Sequence, residues 1–438
     1  MESQYRIPAV GCIVNNLEDL ARAKALEEGM PLLRLAYTPT PVGGKTAQEL
    51  RAYMDGSDPV TKQPLMKEIV EYLTKPLTDE EKKTGSIERL RQRLIGPETA
   101  ENLQRLFDEN FWSDQLPFIL PTEEKVAAML QQTSHKPNEV IGKMSVTGER
   151  ESWSYTVETV ATNAVMAGLR PEYFQAFLAL AATQTNSRPS STASKGAMAM
   201  LNGPIVDEIN LNFGYGALAY NYNNAGALIG RAWGLLSGNV TGGSDPGHNY
   251  LGNQGNPIVD HPIVFAENEA ALPLGWKPLS VQKGFRPEDS VVSTFSGCEG
   301  QNTMMNLKDE DWEWVLKRFI GGLGIPNRTG KLLLIDPNAL PGFLRFGFTT
   351  KEKLSDWVKK NITTPKVHYW LDQEVINYKL GLALTGQEPY ATWLKLPDNA
   401  PIPYLTTVDV VVVGGAGNVR WSVNECGYTK SVKVSDWK

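Results

Sequence analysis

The sequence predicts a layered α/β protein, a mixed sheet with helices on its faces, preceded by a helical N-terminal arm. Five short apolar runs bounded by turn residues read as buried strands: AMAML before Asn202, PIVF before Ala266, SVVSTF before Ser296, KLLLI before Asp336 and VDVVVV before Gly414. Between them lie segments of helical periodicity, AGALIGRAWGLL, DEDWEWVLKRFI and TKEKLSDWVKK, and this alternation builds sheets with covered faces. Residues 1–115 differ: Pro/Gly breaks alternate with charged amphipathic segments, the pattern of a helical arm that packs on the main body or on another subunit.

Taken in order, Thr78-x-x-Glu81 is a capping box that predicts a helix through EEKKTGSIERLRQRL. EEKVAAML after Thr122 reads as a helix, and TVETVATNAVMAG as another that ends at Gly168, where glycine suits a left-handed C-cap. Pro171 fits the first turn of the next helix, whose Phe174, Phe177, Leu178 and Ala181 recur at helical spacing and belong to the core. Thr349-x-x-Glu352 is a second capping box, ahead of KLSDWVKK. No repeat or low-complexity linker divides the chain. Composition alone places an arm at 1–115, an α/β domain at 116–300 and a second α/β half at 301–438 that ends in a strand and a glycine turn.

A formal net charge of -6 with scattered basic residues gives no footprint for nucleic acid, and no apolar run approaches the length of a membrane span. Cys12, Cys298 and Cys426 are too few and too scattered for a disulfide framework or a zinc knuckle. Together with an N-terminal segment that lacks a signal-peptide pattern, they predict a reducing, cytoplasmic setting.

Function is expected in the stretch from Asn202 to Glu269, which holds eleven asparagines, twelve glycines, no lysine and one arginine, Arg231. Amides both donate and accept, and glycines permit close approach, so such a mixture reads as a polar pocket or a packed polar seam. Asn202, Asn212, Asn223, Arg231, Asn268 and Asn302 are candidate substrate ligands. Glu267 and Glu269, two apart on an expected strand, share one face and could divide acid and base roles. Equally, one of them could hold Arg231 in a buried ion pair. His248 and His261 are candidate ligands of a divalent metal with this glutamate pair, or acids, against the plainer reading that both bond to turn backbone. Cys298, at a strand end before glycine, is a candidate nucleophile or redox thiol; an inert buried cysteine is the plain alternative. Gly414 and Gly415 follow a strand like the start of a phosphate-cradling loop, although the spacing is not G-x-G-x-x-G and a tight turn beside the pocket explains them as well.

LPFILPTEEKVAAML, TVETVATNAVMAGLRPEYFQAFLA, NGPIVDEINLN, GALIGRA, FAENEAALPLGWKPLSVQKGF and VVVVGGAGN together resemble a bacterial family found beside, and often labelled with, the small UGSC-motif thiol or selenol proteins. The resemblance covers roughly residues 112–434. It implies a cytoplasmic α/β protein with shared residues Asn202, Glu267, Asn268, Glu269 and Gly415, and a redox or bond-cleaving role toward small molecules. Two positions depart from the family pattern: Leu169 stands where a cysteine is usual, and Gly300, Gln301 and Asn302 where a G-P-H-N turn is usual. The chain has no UGSC motif, so thiol chemistry would need Cys298 or a small thiol or selenol partner. The resulting expectation is a homo-oligomeric enzyme that cleaves or reduces a carbon–heteroatom bond of a small polar metabolite, with glutamate acid–base catalysis and metal or thiol assistance. A non-catalytic ligand-binding or partner subunit of a thiol or selenol redox system is the rival.

Overall fold

The computed structural model describes residues 7–83, 93–145, 153–188, 195–241, 255–305, 310–322 and 329–438. Among these residues the apolar runs assemble into two four-stranded sheets. In the first, Gly196–Asn202 runs parallel to Ile263–Ala266 on one side and antiparallel to Val291–Cys298 on the other, and Gly427–Lys433 completes the far edge. In the second, Thr407–Val412 is parallel to Gly330–Ile335, which is followed by the antiparallel strands Arg420–Asn424 and Gln301–Met305.

Strand periodicity decides how the sheets stack. Met198 and Met200 enter one cluster with Phe265, Phe295, Leu332, Leu334, Val411 and Val413, drawn from both sheets. Alternate residues Ala197, Ala199 and Leu201 instead pack with the helices Val157–Ala167, Phe174–Ala182 and Asn224–Thr241. Leu333, Ile335, Val410 and Val412 pack with Trp312–Gly321 and Lys351–Asn361. Because side chains alternate faces, the sheets lie face to face with helices outside each, giving four layers. The expected mixed sheet is therefore two sheets.

The chain passes between them twice, at residues 299–300 and 425–426. Cys298, just before the first crossing, and Cys426, within the second, form a disulfide across a sequence separation of 128. This corrects the reading of three unpaired cysteines: partners so far apart in sequence become neighbours only through the sheet topology.

The helices follow local sequence logic. Thr122 caps Glu123–Leu130 by accepting from Lys125 N, and Val157–Ala167 ends at Gly168 with φ 77°, as a left-handed C-cap requires. The cap of Lys351–Asn361 is Thr350, one residue beyond the expected Thr349, because its Oγ1 reaches Lys353 N. Thr78 and Glu81 exchange both capping-box bonds, but residues 79–82 form a turn, and the rest of the helix expected there falls largely outside the described residues. The first 115 residues carry the helices Glu18–Glu27, Ala47–Asp55, Leu65–Thr74 and Ala100–Glu109, and also a parallel pair, Gly11–Val14 with Leu35–Thr38. Glycine in Asn224–Thr241 serves packing: a Cβ on Gly230 would lie 2.1 Å from Pro262 O, so helix and strand backbones meet with no side chain between them.

Candidate functional site

Parallel strands end together, and here their carboxyl ends gather polar residues from both sheets. Asn202, wholly buried at the end of Gly196–Asn202, uses its amide fully. Nδ2 donates to Glu267 Oε2 at 3.0 Å and to Glu269 Oε1 at 2.8 Å, while Oδ1 accepts from Ser280 N at 3.2 Å. Glu267 is equally buried. It accepts from Leu279 N at 2.8 Å and Val412 N at 3.4 Å, and its Oε1 pairs with the Lys351 ammonium. Asn268 links the sheets: its N donates to Val412 O at 2.8 Å and its Nδ2 to Gly414 O at 3.0 Å.

Glu267 and Glu269 do not share a strand face, since Ile263–Ala266 ends before them and Glu269 begins a short 3-10 turn. Their roles separate by contact. Glu267, with both oxygens engaged by buried donors, holds the sheets together. Glu269 is half-buried; Oε1 takes Asn202 and Gly203 N at 2.8 Å, and Oε2 meets no donor among the described residues.

Asp336 follows Gly330–Ile335, the parallel neighbour of Thr407–Val412. Its carboxylate does not cap the 3-10 turn that begins after it, and no hydrogen bond reaches it among the described residues. Burial pushes this half-buried carboxyl up to about 6, opposed by the positive charge of Arg420. It adjoins the glycine turn: a Cβ on Gly414 would sit 2.7 Å from Asp336 Oδ1. That turn is tied to the Asn/Gly-rich stretch by Gly414 N donating to Phe213 O at 2.8 Å. Thus hydrogen bonds link Asn202 to Glu267 and Glu269 and Asn268 to Gly414, with Gly415 next in the chain and Asp336 beside Gly414.

Other expected members lie elsewhere. Arg231 pairs with Asp114 at 2.7 Å and donates to Pro117 O at 2.8 Å, fastening the Asn224–Thr241 helix to the end of the N-terminal segment and contacting neither glutamate. Burial raises the Asp114 carboxyl, but the Arg231 hydrogen bonds and charge outweigh it, and the net shift is downward. Asn212 spends its amide on Tyr215 O, Tyr222 O and Gly214 N. Asn223 spends its own on Ala217 O, Val264 O, Asn212 N and Gly226 N. These two asparagines make a packed seam. The shallow depression beside Asn223 and Tyr220 has a cavity volume of only about 10 Å³, far below the several hundred Å³ usual for a ligand pocket.

Cys298 pairs with Gly196 while Asn202 pairs with Val291, so strand rise puts the disulfide about 20 Å from Asn202, at the opposite end of the sheet. With its sulfur bonded to Cys426, Cys298 has no free thiol to act as nucleophile. Asn302 pairs with Val423 on the outer strand Gln301–Met305, three strands from Thr407–Val412, or about 14 Å. His261 is exposed, edge-on to Tyr220, and precedes the strand that Glu267 follows, so the two sit at opposite ends of it. Among the described residues no three metal-ligating side chains cluster, and His248 lies outside those residues.

Comparisons with protein-family models, curated proteins and solved structures found no match. The members that sequence reasoning missed are Asp336 and Lys351. Asp336 had a visible signal: an acidic residue directly after a buried apolar run stands at a strand's carboxyl end, where open α/β sheets bind ligands.

Proposed function

We propose that this chain is an enzyme acting on a small polar metabolite at the carboxyl ends of the parallel strands, where a carboxyl group moves a proton during cleavage of a carbon–heteroatom bond, or during its reduction by two electrons from a thiol or selenol partner. Asp336 carries the reading: it is half-buried, lacks a hydrogen-bond donor among the described residues and is pushed up to about 6 by burial. Such a group presents both acid and base forms near neutral pH, as proton transfer requires. Glu269 offers its open oxygen to orient the substrate, and the Gly414–Gly415 backbone forms one wall. Glu267 serves the scaffold in this reading.

The test is depletion of a defined mixture of small polar metabolites, followed by mass spectrometry with and without a divalent cation and a thiol reductant. Wild-type protein should deplete a component, and Asp336→Asn should slow this on the order of a hundredfold. No depletion, or a variant as fast as wild type, overturns the proposal; binding without depletion selects the rival, a non-catalytic binding subunit. A thiol or selenol partner would act on substrate and not on Cys298 or Cys426, which are each 1% exposed. A cytoplasmic setting would keep both as thiols, which a free-thiol count of protein isolated without reductant decides.

A further inference from the structure

Asp336 and Arg420 stand opposite each other at the end of the second sheet. The antiparallel register that pairs Ile335 with Trp421 brings them together next, and Asp336 N donates to Arg420 O at 3.1 Å. Opposite residues of a hydrogen-bonded pair lie about 5.5 Å apart at Cα, with their side chains on one face. Ile335 and Trp421 pack toward the helices, so Asp336 and Arg420 take the other face. Opposite charges so placed ordinarily close an ion pair. Among the described residues these do not, and Arg420 Nη2 reaches Thr303 Oγ1 at 3.4 Å instead.

The two groups lean apart. Asp336 Oδ1 lies toward Gly414, beyond the flanking strand Thr407–Val412, and the guanidinium lies toward Thr303 on the other flanking strand, Gln301–Met305. With strands about 4.8 Å apart, carboxyl and guanidinium are two strand spacings, or roughly 10 Å, from each other. A guanidinium fork matches a carboxylate, and hydrogen bonds of about 2.9 Å at each end of a bridging ligand leave about 4 Å between its carboxylate oxygen and the atom at Asp336. That is roughly the reach of a heteroatom on the second carbon from the carboxylate. A phosphate dianion fits less well, because the single positive charge that bears on Asp336 balances one negative charge and not two. Resting on the reading of Asp336 as the group that moves a proton, we propose that the substrate is a small carboxylic acid whose carboxylate docks on Arg420 and whose β-heteroatom lies at Asp336.

Ligand-observed NMR titration of the full chain tests this with β-hydroxypropionate and β-alanine. Aminopropanol and phosphoethanolamine are counterparts of the second in which an alcohol or a phosphate replaces the carboxylate. β-Alanine should bind on the order of tenfold more tightly than either counterpart. Arg420→Gln should erase that preference, and Arg420→Lys should restore only part of it, since an ammonium lacks the fork. Arg420→Gln should also raise the titration midpoint of the Asp336 carboxyl, which an arginine out of its reach would leave unmoved. Failure of both carboxylate probes to bind, or affinity and midpoint unaffected by Arg420→Gln, overturns the inference. Should a counterpart without a carboxylate bind in a way that depends on Asp336 and not on Arg420, the carboxylate preference falls and the proton-transfer reading survives. If no probe binds and no metabolite is depleted in an Asp336-dependent way, both fail.

Discussion

Lys351→Met removes the cation that faces Glu267 and leaves a carboxylate in the middle of the protein. The ion pair is almost wholly buried, with side-chain exposures of 1% for Lys351 and 0% for Glu267. Lys351 is the first residue of its helix, where the helix dipole disfavours a cation, so the glutamate opposite accounts for its presence. Breaking such a pair from one side costs about 3–5 kcal/mol. Here the lower end applies, because Glu267 keeps hydrogen bonds from Leu279 N and Asn202 Nδ2. Unfolding entropy of about 2.1 cal/mol/K per residue over 438 residues gives roughly 1 °C per kcal/mol, so a melting shift of about 3 °C is a blunt readout. Denaturant unfolding is the better assay, with the slope checked for constancy. Glu267→Gln alone should also destabilise, while the double variant Glu267→Gln/Lys351→Met should lose less than Lys351→Met alone. A Lys351→Met loss below about 1 kcal/mol, or losses that simply add, would refute the assignment of Glu267 to the scaffold.

Protein isolated without reductant and then denatured should titrate with one thiol per chain, that of Cys12; three would remove the disulfide. Reducing the disulfide should lower stability by up to about 5 kcal/mol on the chain-entropy view, given the separation of 128, and unchanged denaturant midpoints would count against it. Since the folded pKa of Asp336 is raised above its unfolded value, its share of stability falls as pH rises from about 4 to about 6. Asp336→Asn should accordingly gain stability over wild type above pH 6 and lose that advantage toward pH 4; a gain that ignores pH would contradict the shift. Gly230→Ala places a methyl group 2.1 Å from Pro262 O and should cost about 1–3 kcal/mol by overpacking, whereas a neutral result would deny the close helix–strand contact.

Elements governed by nearby sequence were legible. Strand runs such as PIVF and VDVVVV, the cap at Thr122 and the left-handed stop at Gly168 depend on residues within one turn of each other. Where two neighbouring residues offered the same chemistry, as Thr349 and Thr350 do, the cap moved by one. The polar segment stands out by composition, but that composition fits both a pocket and a seam, and only tertiary contacts show Asn212 and Asn223 spending their amides on backbone. Choice of partner was likewise hidden. Arg231 finds Asp114, Glu267 finds Lys351 and Cys298 finds Cys426, each more than eighty residues away, a distance over which sequence periodicity carries no information. The upward shift of Asp336 arises from burial, which belongs to the fold and has no local sequence signature.

The assignment of proton transfer to Asp336 is tested most directly by following its side-chain carboxyl carbon by NMR across pH, with the resonance identified by its loss in Asp336→Asn. A midpoint near 6 in the folded protein is the predicted result. A midpoint at the ordinary aspartate value of about 4 would contradict it, leaving Asp336 a plain surface carboxylate and the strand ends without their acid.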